Sequence, residues 1–114
     1  MVYKLMPNVY TNAKKDLTST DVTTLYTAPA LTTAIVKSIL VSEDSGNADT
    51  ITLTITDAES SPATFSVFKT KAVSANATVE LLTGPLVVQT GEILKVTAAT
   101  ANRLHVVASI LEVS

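Results

Sequence analysis

The chain has 114 residues, enough for one domain with a substantial core. Hydrophobic residues make up 46% and charged residues only 16%, against about 25% charged in an ordinary soluble domain, so threonine and serine must cover much of the surface. A net charge of −2 with no basic run argues against nucleic-acid or anionic-membrane binding, and the absence of cysteine removes disulfides and thiolate metal sites.

Taken in chain order, residues 1–21 read as an N-terminal arm. "PNVYTNAKKDLTSTD" is polar and carries Pro7 and the pair Lys14-Lys15, with a short edge strand expected at Val2–Met6. The arm lacks the apolar run of a secretory leader, so assembly in a cytoplasm is expected and the sequon Asn76-Ala77-Thr78 reads as a chance match. No stretch approaches the ~20 apolar residues of a membrane-spanning helix.

Residues 22–114 read as a β-domain. "TTAIVKSILVSE" is a long strand whose alternation breaks, which a bulge near Lys37-Ser38 or burial on both faces would explain. "SEDSGNAD" is a polar loop that would close a hairpin onto "TITLTITD". There Ile51, Leu53 and Ile55 point to a core and the threonines point away. "ATFSVFKTK" and "NATVELL" are further strands; Thr83-Gly84-Pro85 breaks the chain before the short "LVVQ". "ILKVTAA" places Leu94, Val96 and Ala98 on one face, and "TAN" turns into the last strand. That gives about seven or eight strands joined by sequential hairpins: an all-β antiparallel sandwich, jelly-roll or immunoglobulin-like.

The last strand, "LHVVASILEV", is apolar on both faces. Leu104, Val106, Ala108 and Ile110 suit a core; His105, Val107, Leu111 and Val113 would lie under the arm or a neighbouring subunit. His105 is the sole histidine. A catalytic role needs an activated partner, and Ser109 on the same face lies roughly 13 Å away, so packing at an interface is the simpler reading. Glu43, Asp44 and Asp49 cluster around a glycine-containing loop, but their spacing is not that of a calcium loop and a solvated tip explains them. Gly46, Gly84 and Gly91 fall at turns and build no phosphate-binding loop. Without tryptophan, and with few aromatics, a stacking surface for glycans or single strands is weakly supported. No enzyme constellation, metal site or cofactor site emerges.

The segments "TLYTAPALTTAIVKSILVSEDSGNADTITLTI" and "ATVELLTGPLVVQTGEILKVTAATANRLHVVASILEVS" resemble small β-sandwich virion proteins of tailed bacteriophages, particularly those of marine and cyanobacterial phages. The resemblance covers most of the chain from Leu25 onward and rests on strand and turn signatures, not catalytic motifs. It implies a structural, non-enzymatic role in the virion. The first expectation is a head decoration or cement protein, a homotrimer bound to the major capsid protein. The alternative is a tail, neck, baseplate or fibre-associated domain contacting tail proteins or the host surface. The expected interface residues are Val2, Tyr3, Leu5 and Tyr10 of the arm, with His105, Val107, Leu111 and Val113 of the last strand.

Overall fold

The alternating runs form two antiparallel sheets in a computed structural model, which describes residues 8–114. The described strands are β1 (Val9–Asp16), β2 (Thr23–Thr27), β3 (Thr33–Glu43), β4 (Asp49–Thr56), β5 (Thr64–Val73), β6 (Thr78–Glu80), β7 (Leu86–Val88), β8 (Ile93–Ala98) and β9 (Leu104–Val113). The A sheet runs β1-β9-β3-β6, with β7 also paired to β3; the B sheet runs β2-β8-β4-β5. No helix occurs among the described residues, so none there is long and apolar enough to cross a membrane.

This order is that of a long two-stranded ribbon folded at β4–β5 and wound over itself. β1 pairs β9, β2 pairs β8, β3 pairs β6 and β7, and β4 pairs β5; winding brings β9 against β3 and β8 against β4. That topology is a jelly roll, which decides between the two sandwich types expected from the sequence. β6 and β7 share one ribbon position, split at Thr83-Gly84-Pro85, so nine strands fill eight places.

The winding corrects the expectation of sequential hairpins. Among the described strands only β4 and β5 are neighbours both in sequence and in pairing. β3 and β4, expected as a hairpin, lie in opposite sheets. Each has one apolar face, and facing the two across a common core buries both: Val36, Ile39 and Val41 from β3 and Ile51 and Leu53 from β4 have 0% exposure.

The broken alternation of β3 is the expected bulge. The register with β9 shifts between Val36 and Ser38, leaving Lys37 without a paired residue. Ala34 and Val36 face inward before it, Ile39 and Val41 after it, so the extra residue keeps the apolar side on the core. Where β6 and β7 part, the side chain of Glu80 bridges the gap. Its carboxylate accepts from the Ile39 amide at 2.7 Å, the Leu82 amide at 3.3 Å and the Ser38 hydroxyl. Partial burial alone would raise the Glu80 pKa, but these bonds outweigh it and hold the group below its usual range.

The arm expectation changes most. Residues 9–16 are not a free arm but edge strand β1, paired along its whole length with β9. Leu17 then enters the core at 1% exposure, its amide donating to Leu104 O at 3.0 Å and its carbonyl accepting from the Asn102 amide at 2.9 Å. The domain therefore begins by Val9, not at residue 22. β1 extends the edge of β9 and does not cover its odd face, because its backbone donors and acceptors meet those of β9 in plane. The edge strand expected at Val2–Met6 lies outside the described residues.

Candidate functional site

Cross-strand register shows which side chains share the outer face of the A sheet. Moving from β1 through β9 and β3 to β6 or β7, four rows stand side by side. The first is Tyr10, Leu111, Ile35 and Val87; the second is Asn12, Ser109 and Ser38. The third is Lys14, Val107, Leu40 and Glu80; the fourth is Asp16, His105, Ser42 and Thr78. Tyr10 is 74% exposed, Val87 50% and Leu40 40%, so the face presents apolar side chains to the outside. A shallow groove of about 380 Å³ runs beside the bulge, between Tyr10, Asn12, Lys37 and Ser109.

The sequence-derived interface residues Tyr10, His105, Val107, Leu111 and Val113 all lie on this face, Tyr10 directly opposite Leu111 and Val113 opposite Thr33. Val2, Tyr3 and Leu5 lie outside the described residues. The even positions of β9 are core, as expected: Leu104, Val106 and Ala108 are at 0% and Ile110 at 1%. Sequence reading missed Leu40, Ile35 and Val87 as members of the face. The bulge had hidden the parity of β3, and the partner of β7 is not written locally.

His105 sits at the polar end of the face. Its Nε2 lies 3.3 Å from Asp16 Oδ1 and its Nδ1 3.5 Å from Asp44 Oδ2, all three side chains being largely exposed. The topology makes this trio: Asp16 ends β1 opposite His105, and Asp44 follows β3, whose Ser42 is His105's other neighbour. Both ring nitrogens are turned to carboxylates, and the nearest same-face hydroxyl across the strands is that of Ser42, engaged with Thr78 at 2.9 Å. The arrangement ties three chain segments together and offers no free imidazole nitrogen beside a nucleophile.

The acidic loop is likewise occupied. Glu43 is 2% exposed and accepts from the amides of Ser45 (2.7 Å), Gly46 (3.0 Å) and Asn76 (3.0 Å) and from the Ser45 hydroxyl. Desolvation pushes its pKa up, but the four bonds pull harder and set it at about 2. Asp49 accepts from the Thr100 amide at 3.1 Å. These carboxylates cap loops instead of converging on a cation, and no group of three or more His, Asp or Glu side chains is placed to hold a metal ion among the described residues. No buried side-chain polar atom there lacks a partner.

The outer face of the B sheet differs. Thr24, Lys95, Thr54 and Ser66 form one row across it, and Thr97 and Thr52 another. The two layers are also clipped at the end away from His105. Tyr26 of β2 donates its hydroxyl to Glu112 of β9 at 2.6 Å. Burial, then the bond to Glu112 and its charge, push the phenol well above its usual pKa. Neither a protein-family model nor a curated relative matches this sequence.

Proposed function

We propose that this protein is a structural, non-enzymatic subunit of a tailed-phage particle, acting as a head decoration protein that stabilises the shell through subunit contacts. The observation that carries the reading is the outer face of the A sheet. Small domains that stay alone in water rarely keep apolar side chains such as Tyr10, Leu111, Ile35 and Val87 adjacent on an open sheet face, which supports reading this face as one covered by protein. The jelly roll supports it as a scaffold recurrent in capsid subunits, though also in lectins, and so does the resemblance described above. The non-enzymatic part of the reading is supported by His105 and the loop carboxylates, which are engaged with neighbouring groups among the described residues.

The mechanism is mechanical. A two-layer β-domain with an apolar core deforms little, and many modest contacts repeated over a symmetric shell add up against internal pressure. Quantitative mass spectrometry of purified particles, split into heads and tails, tests it. High copy number in the head fraction is expected. A few copies confined to tails would move the protein to the tail or host-contact alternative, and absence from both would end the structural reading.

A further inference from the structure

We propose that the outer face of the A sheet pairs with the same face of a second copy, about a twofold axis parallel to the strands and midway between β9 and β3. The inference rests on reading that face as protein-covered and names the partner. Such an axis reverses each cross-strand row and lays it on itself. Tyr10, Leu111, Ile35 and Val87 then meet Val87, Ile35, Leu111 and Tyr10 of the second copy, apolar on apolar throughout. In the third row Val107 and Leu40 exchange partners at the centre, while Lys14 at one edge meets Glu80 at the other, twice per dimer. In the fourth row Asp16 stands over Thr78 and His105 over Ser42, polar on polar. Lys37, standing off the bulge, reaches over the Asn12–Ser109 row, where side-chain oxygens can receive it.

The first and third rows match their own reverse, which an isologous interface requires and a foreign partner would not. The size also fits. Four strand positions at ~4.8 Å and ten residues at ~3.3 Å give about 600 Å² per copy, or about 1,200 Å² in all, the lower end of specific interfaces. Packed sheets cross at roughly −30°, so the central rows keep register and the edge pair relies on the reach of Lys and Glu.

Sedimentation equilibrium of the full chain tests the pairing. The parent is expected at twice the chain mass. Val107→Asp places a carboxylate at the centre of the apolar contact without touching the core, and is expected at the chain mass with a cooperative melt that, unlike the parent's, does not shift with concentration. Lys14→Glu sets like charges at both edges and is expected to weaken association about tenfold. Glu80→Lys does the same but also removes the Ser38 and Ile39 bonds, so its fold is checked by thermal melting. Mixing Lys14→Glu with Glu80→Lys chains puts opposite charges at both edges again, and mixed dimers are expected to recover parental affinity. A parent that is monomeric or trimeric, a dimeric Val107→Asp, or a mixture no tighter than its components would overturn the pairing. A monomer still abundant in heads would leave the structural role standing without the twofold; a dimer absent from every particle would do the reverse.

Discussion

β4 and β9 each sit inside their own sheet and alternate cleanly, yet they meet the outside differently. Between its core positions Ile51 and Leu53, β4 turns Thr50, Thr52 and Thr54 outward. Between Leu104, Val106, Ala108 and Ile110, β9 turns out His105, Val107, Ser109 and Leu111. Threonine gives a strand its β-branched stiffness together with a hydroxyl that water can satisfy or that, at Thr52, accepts from the Thr70 amide at 3.0 Å. Valine and leucine give the stiffness alone. Fold stability therefore does not explain the composition of the A-sheet face, since the B sheet reaches the same architecture with a wettable surface. On the function proposed above, the excess apolar area serves association.

Neighbouring positions on β9 separate these two roles most sharply. Leu104→Ala should cost about 2–5 kcal/mol in denaturant unfolding, whereas Val107→Ala, three residues on, should stay within about 0.5 kcal/mol when both are unfolded at concentrations too low for pairing. Equal losses would mean that both faces of β9 serve the fold. Tyr26→Phe should cost about 1–2 kcal/mol by removing the hydroxyl that joins the sheets through Glu112. Glu43→Gln should lower the melting temperature at neutral pH and flatten its pH profile. Because the folded pKa is about 2 against the usual 4.5, the carboxylate contributes fully above about pH 4.5, and the contribution disappears as pH falls through about 2. A variant whose acid profile matches the parent would show that the loop amides do not hold Glu43. The smallest effect is expected for His105→Ala, within about 0.5 kcal/mol, since both of its ion-pair contacts lie in solvent.

The layer structure was legible because burial leaves a period of two. Ile51 and Leu53, Leu94 and Val96, and Leu104 through Ile110 announced their faces, while the slipped parity around Lys37 was legible as a bulge or as burial on both faces, and register decides for the bulge. β1 was not legible. "VYTNAKKD" is exposed at nearly every position, and its place is secured by backbone pairing to β9, which leaves no hydrophobic period. Sheet membership was also hidden. "SEDSGNAD" looks like a hairpin tip, but the turn across the sandwich is fixed by Glu43 gathering amides from Ser45, Gly46 and the distant Asn76. The candidate face was half visible. β9 displayed its odd residues openly, while Ile35, Leu40 and Val87 joined them only through register set by other strands.

The central claim is that the outer face of the A sheet is a protein-binding face and that of the B sheet is not. Side-by-side sedimentation of the parent, Val107→Asp and Thr52→Asp tests it most directly, each substitution placing one carboxylate at the middle of one outer face. The parent and Thr52→Asp should associate alike, and Val107→Asp should be monomeric with its fold intact. Val107→Asp associating as the parent does, or Thr52→Asp alone losing association, would contradict the claim.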